Sequence, residues 1–317
     1  MSFVVTGASG FIGSALCHYL LEKHPDKSII NVSKHTYAVS PRIARFLEDY
    51  PNYVFYPLDI CDTLPLHDIM RKHEVDRVYH LAAETHVDRS FTYPKDFLRS
   101  NIEGTLSVLE AIRSIEDPPR MFYMGTDEVF GDVKEGYRKE DEPLHPENPY
   151  VASKVSAEAY CITWTHSFDL PVVIGRSMNV YGPRQNPEKL IAKIITHCLA
   201  DEPYTLYKGN SIRGWNYVYD TAEAVEAIMT RGRVGEIYHI PPAAYQTVNG
   251  VNNTILKLTG KPDLFEGYEG ERLKDDYRYA LDASKMKEEL GWSPRTSWEE
   301  GMTLTIEWYE EHMELWR

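Results

Sequence analysis

Cysteine is scarce in this chain: four thiols, Cys17, Cys61, Cys161 and Cys198, among 317 residues. They stand far apart, with no C-x-x-C pair and no metal-ligand spacing, so they read as reduced thiols and not as a disulfide framework or a metal site. Long apolar runs are missing as well. None approaches the roughly 20 residues of a membrane-spanning helix. The opening MSFVVTG already reads as a strand entering a turn, which leaves no place for the three regions of a secretion signal. Basic charge is in deficit, with 34 Lys and Arg against 48 Asp and Glu and a net charge of −14. Non-specific nucleic-acid binding depends on a basic footprint, and this balance opposes it. Repeats and low-complexity tracts are absent too. The expectation is a cytoplasmic protein with no metal and no nucleic-acid or membrane partner.

What is present is core-forming material, 43% of the residues being hydrophobic. That is enough for one large core or two unequal domains. In the first half, short β-rich runs (SFVVTG, SIINV, YVFYPLD, RVYHLAA, RMFYMGT, PVVIGRS) alternate with amphipathic stretches such as FIGSALCHYLLEKH and TLPLHDIMRKH. Such alternation predicts an α/β fold, a parallel sheet with helices on both faces and ligands at the carboxyl ends of its strands. Beyond about residue 176 the pattern loosens and becomes richer in Pro, Gly and Tyr. We therefore expect a first domain over 1–176 and a smaller substrate-binding lobe over 177–317, some of whose segments return to pack on the first.

GASGFIG follows the first strand and opens the first helix, spacing Gly7, Gly10 and Gly13 so that the backbone can turn tightly under a pyrophosphate. Strand, loop and helix stand in the order that a Rossmann dinucleotide site requires. After the second strand, where an acidic residue would bind the adenosine ribose, the chain has Ser33 and Lys34. NAD is expected, and the missing carboxylate leaves NADP open. Asp59 and Ile60 are placed to flank the adenine, although Asp59 would also serve as a helix cap.

Downstream, GTDEVFGD places Thr126, Asp127 and Glu128 at the end of an apolar run, and NPYVASK sets Tyr150 and Lys154 on one face of a helix. An ammonium at that spacing lowers a phenol's pKa, which suits Tyr150 to act as a base. With these motifs the chain resembles the extended short-chain dehydrogenase/reductases over essentially its whole length, and among them the nucleotide-sugar 4,6-dehydratases. The resemblance rests on GASGFIG, HLAAETHVDRS, GTDEVFGD, NPYVASK, NVYGPRQNPEKLI, IRGWNYV and RYALDASKMKEELGW.

The resemblance implies an NAD-dependent hydro-lyase converting dTDP- or UDP-glucose to its 4-keto-6-deoxy sugar. Asp127 would be the acid, Glu128 the base, and Thr126 a partner of Tyr150 at the 4-hydroxyl. It implies cofactor contacts from Phe11, Ile12, Leu81, Ala82, Ala83 and Ser100 in addition to those above. It implies substrate contacts from Thr85, Asn179, Lys189, Leu190, Tyr207, Arg213 and Arg272, and a homodimer built as a four-helix bundle from KDFLRSNIEGTLSVLEAIRSI and YVASKVSAEAYCITWTHSF. The chain departs from the pattern at ERLKDD (271–276), which keeps only Arg272 and Asp276, and at PPAAY (241–245), which lacks a substrate-binding Asn. Both departures concern nucleotide contacts, so thymine and uracil stay open. The alternatives are a 4-epimerase or UDP-glucuronate decarboxylase of the same family, or a catalytically silent dinucleotide sensor, which would have little reason to keep Thr126, Asp127, Glu128, Tyr150 and Lys154 all together.

Overall fold

The apolar runs of the first half form parallel strands: β1 (Ser2–Thr6), β2 (Ser28–Val32), β3 (Tyr53–Tyr56), β4 (Val75–His80), β5 (Arg120–Thr126) and β6 (Val172–Ser177). β3 is shorter than YVFYPLD suggests, because Pro57 has no N–H to continue the ladder. The computed structural model describes residues 1–34, 36, 45–207, 211–268, 270 and 276–315.

Alternate residues of each strand face opposite sides. Phe3 and Val5 join Leu16 and Leu20 of helix α1 (Phe11–Lys23) in one core. Val4 points the other way, into a second core with Leu66 of α2 (Thr63–Lys72), Leu109 of α3 (Gly104–Arg113) and Ala157 of α4 (Pro149–Phe168). Fully burying one such Leu, Val or Phe side chain contributes about 1.5–3 kcal/mol.

The run expected as one long helix over 95–115 is interrupted. Leu98–Glu103 widens into a π turn, in which the Gly104 N–H donates to Arg99 O. The widened turn carries the buried Asn101, whose amide donates to Glu84 O (3.0 Å) and Ser153 Oγ (2.8 Å) and accepts from Glu84 N (2.8 Å). π turns concentrate at functional sites, and this one contains Ser100.

The second half builds β7 (Asn179–Tyr181), α5 (Leu190–Ala200), β8 (Tyr204–Leu206), β9 (Ile212–Tyr217), α6 (Val218–Arg231), β10 (Ile237–Ile240), β11 (Ala244–Thr247), α7 (Val248–Thr259), β12 (Phe265–Tyr268), α8 (Ser284–Leu290) and α9 (Trp298–Glu311). Strands β11, β9 and β7 form a small sheet, and β12 pairs with β8. Tyr181, Trp215, Trp298 and Ile194 fill a separate core there. Helix α6 leaves the lobe to pack its Ala224 and Ile228 into the first core, and β10 then pairs in parallel with β6. The main sheet thus runs β10-β6-β5-β4-β1-β2-β3, a doubly wound order with one strand donated from beyond residue 176. Among the described residues, no helix is long and apolar enough to cross a membrane.

Candidate active site

At the carboxyl ends of β1, β4, β5 and β6 the sheet opens into a cavity of about 540 Å³ that continues under the small lobe. Gly7 starts the turn after β1 with φ +73, and a Cβ there would lie 2.7 Å from Ala82 Cα. A Cβ on Gly13 would lie 2.4 Å from Gly7 O. Both positions need glycine, and the turn they permit leads to Gly10, which caps α1 without a side-chain acceptor. A helix N-terminus so placed is suited to a pyrophosphate. Phe11 and Ile12 follow on the first turn of that helix and line the cavity, as do Leu81, Ala82 and Ala83 after β4 and Ser100. This cradle of bare backbone fits a dinucleotide.

The adenosine end is closed by Ser33, Lys34, Asp59 and Ile60. Ser9 N donates to Ser33 Oγ (3.1 Å), which donates to Asn31 Oδ1 (2.5 Å). Lys34 Nζ lies 2.9 Å and Arg99 Nη2 3.5 Å from Asp59 Oδ2. Burial alone would raise the Asp59 carboxyl, but hydrogen bonds from Lys34 and the Cys61 N–H outweigh it and hold the group below its ordinary value.

β5 ends at Thr126, which caps the short 3-10 turn Asp127–Phe130: its hydroxyl accepts from Glu128 N (3.3 Å) and donates to Asp127 Oδ1 (3.3 Å). The capping that two adjacent carboxylates might have served is therefore done by Thr126. Asp127 is only 3% exposed. Burial, then the nearby charge of Glu128, pushes its carboxyl from 3.8 up to about 8, against the opposing effects of Arg213 and the Thr126 hydroxyl. That shift favours the protonated form of Asp127 at neutral pH.

Asn148 accepts from Val151 N (2.9 Å) and starts α4 with Pro149 in its first turn, which brings Tyr150 into the cavity. One turn on, Lys154 Nζ donates to Met124 O (2.6 Å) and sits 4.4 Å above the Tyr123 ring. Burial brings the Lys154 ammonium down to about 8. The expectation that Lys154 depresses the Tyr150 phenol is not met in this arrangement. Burial and then the charge of Glu128 push the phenol up, and the lowering influence is a hydrogen bond from Thr126.

Thr85, Asn179, Lys189, Leu190, Tyr207 and Arg213 line the far part of the cavity, with the Arg213 guanidinium 4.5 Å above the Tyr279 ring. Arg272 lies outside the described residues. Sequence reasoning passed over Ser9, Met124, Ser177, Met178, Gln185 and Trp215, which line the same cavity. Met124, Ser177 and Met178 end or follow β5 and β6, where the strand-end rule would have found them. Gln185 and Trp215 stand within NVYGPRQNPEKLI and IRGWNYV, two of the stretches on which the resemblance rests, so the signal for them was available.

A sequence model of the family described as GDP-mannose 4,6 dehydratase matches residues 4–305. The chain belongs to this family. Within the family it is 38% identical to the dTDP-glucose 4,6-dehydratase of Haemophilus influenzae, over 98% of each chain. Among solved structures it superposes with TM-score 0.91 on the dTDP-glucose 4,6-dehydratase of Bacillus anthracis in complex with NAD, at 34% identity, covering 100% of this chain and 98% of the other. It also resembles the UDP-glucose 4-epimerase of Thermotoga maritima (TM-score 0.88, 29% identity, 99% and 100% covered), so the fold by itself does not select the reaction.

Proposed function

We propose that the chain is an NAD-dependent NDP-glucose 4,6-dehydratase acting on dTDP- or UDP-glucose. The observation that carries this reading is Asp127, buried beside Glu128 with its carboxyl shifted toward the protonated form, one hydroxyl away from Tyr150. Bound NAD would supply reversible storage of one hydride, taken from carbon 4 and returned at carbon 6. Tyr150, whose phenol burial and Glu128 push up, would take the proton of the 4-hydroxyl held by Thr126 as a phenolate favoured by the positive ring of bound NAD. The resulting ketone makes the carbon 5 proton acidic, and Glu128 removes it while Asp127 gives its proton to the departing 6-hydroxyl. Water leaves, and Glu128 returns its proton to carbon 5. The proton gained by Tyr150 balances the one given by Asp127. Two neighbouring carboxyls, one held protonated by its surroundings, suit this division of acid and base. A 4-epimerase returns the hydride to carbon 4 and needs no such acid.

In the same reading, Gly7, Gly10 and Gly13 hold the cofactor diphosphate and Lys154 the ribose beside the reacting carbon. Thr85, Asn179, Lys189, Leu190, Tyr207 and Arg213 surround the sugar nucleotide. The protein works as a homodimer through α4 and the helical run 95–115, which includes α3. An aromatic ladder of Tyr160, Trp164 and Phe168 along α4, with Phe168 45% exposed, supports that assembly. The four cysteines are free thiols, which suits a cytoplasmic location.

Single-turnover absorbance tests the mechanism. Glu128→Gln and Asp127→Asn should accumulate enzyme-bound NADH, with elimination slowed about 10²–10⁴-fold. Tyr150→Phe should show little NADH. If both carboxyl variants dehydrate NDP-glucose at the wild-type rate, the proposal fails.

A further inference from the structure

Tyr150, Lys154 and Glu158 follow at four-residue spacing along α4, and all three are buried. Glu158 lies outside the cavity lining and meets Arg176 of β6 instead. Arg176 donates through both Nη2 and Nε, so its fork grips the two carboxylate oxygens, and each side chain is 2% exposed. In the sheet Arg176 stands in register with Gly125, the residue before Thr126. A Cβ on Gly125 would lie 3.1 Å from Arg176 Cγ and 3.4 Å from Glu158 Oε2, so the pair packs directly against the end of β5.

The same guanidinium reaches the acidic turn. Its Cζ lies 4.9 Å from the ring centre of Phe130, the last residue of the turn Asp127–Phe130. Nη1 donates to Glu140 O (3.1 Å) and to His239 Nε2 (3.4 Å). Burial and then Arg176 push His239 down to about 3, and its Nδ1 lies 2.9 Å from Asp282 O, which leaves Nε2 as the acceptor. The His239 ring also meets Phe130 edge-on at 5.5 Å. One buried ion pair therefore touches the helix of Tyr150, the turn of Asp127 and Glu128, and β10 from the second half. Apolar replacement of a buried pair is often neutral or stabilising, so stability does not account for it. Geometry does, because a bidentate fork and a stacked plane fix distance and angle together.

We infer that Arg176 and Glu158 are positioning residues, clamping the Asp127–Phe130 turn to α4 so that its carboxyls stand at a fixed distance from Tyr150. Both act through Phe130 and the helix, since neither lines the cavity. The inference rests on the proposed reading of Asp127 and Glu128 as acid and base.

The test uses the full chain and the double variant Arg176→Met with Glu158→Leu, in which neither member of the pair is left buried and unpaired. Asp127 faces Glu128 and Arg213 and the phenols of Tyr150 and Tyr245, none of which the double variant removes. Its titration therefore reports position. In the wild-type background, Asp127→Asn should gain melting temperature between pH 5 and pH 8, and in the double-variant background that gain should fall by about half or more. A loss of stability alone would leave the gain unchanged. On NDP-glucose, kcat should fall about 10²-fold, the cost of roughly 1 Å of misplacement, with KM within about 3-fold. An undiminished gain or a wild-type kcat overturns the inference. A diminished gain in a protein whose wild type does not dehydrate NDP-glucose supports the clamp and removes only the proposed reaction. If Asp127→Asn gains nothing in the wild type, no held carboxyl exists for the pair to position, and the inference is overturned. If the double variant fails to fold, Arg176→Lys, which keeps the charge but not the fork, should show the same two effects, with kcat lowered about 10-fold.

Discussion

Replacing Asp127 by asparagine should make the cofactor-free protein more stable, by an amount that grows with pH. The Asp127 carboxyl is pushed from 3.8 to about 8 by burial and by Glu128. A carboxyl raised in this way binds its proton more tightly in the folded state than in the unfolded one. Its contribution to stability is complete below 3.8 and is lost as pH rises toward about 8. At roughly 1.4 kcal/mol per pH unit, the loss between pH 5 and pH 8 is about 4 kcal/mol. Asparagine keeps the shape and an oxygen for the Thr126 hydroxyl but does not titrate, so the variant escapes that loss. At about 2 °C per kcal/mol for a chain of this size, the melting temperature of Asp127→Asn should gain about 8 °C on the wild type across that range. Differential scanning fluorimetry at half-unit pH steps measures it. A gap that stays constant from pH 5 to pH 8, or an asparagine variant that is less stable at pH 8, would refute the assignment of Asp127 as a buried, protonated acid. The same substitution removes the proposed acid, so stability and turnover should move in opposite directions.

Gly13→Ala would place a methyl group 2.4 Å from Gly7 O and 2.7 Å from Ala8 Cα, so the start of α1 must shift. Urea titration should show about 1–3 kcal/mol of destabilisation, and the purified variant should carry less NAD(H) than the wild type, which is expected to retain it. Arg176 donates through Nη2 to Glu158 Oε1 (2.5 Å) and through Nε to Oε2 (3.1 Å), with both side chains buried. Arg176→Met should cost about 3–5 kcal/mol in urea, and adding Glu158→Leu should recover much of it, since an unpaired buried carboxylate is the main penalty. Light scattering at micromolar concentration should find a dimer, and Phe168→Glu should shift it toward the monomer.

Local rules carried the sequence reading a long way. Six of the strands, the glycine turn and the Tyr150 helix follow from patterns within a few residues: short β-rich apolar runs, most of them buried on both faces, a Gly spacing and the NPYVASK stretch. The motifs also lay close to strand ends, so twenty-four predicted site residues meet in one cavity. Other features depended on partners distant in the chain. The donation of β10 to the main sheet was decided by packing of α6 against α1, which no local period encodes. The π turn at Leu98–Glu103 answers to Glu84 and Ser153, and the anchoring of Lys154 on Met124 O depends on a strand 30 residues away. A pKa is set by desolvation and by charges converging from separate segments. The chain alone showed which carboxyls were present at 127 and 128, but only the folded surroundings shift one of them toward its protonated form.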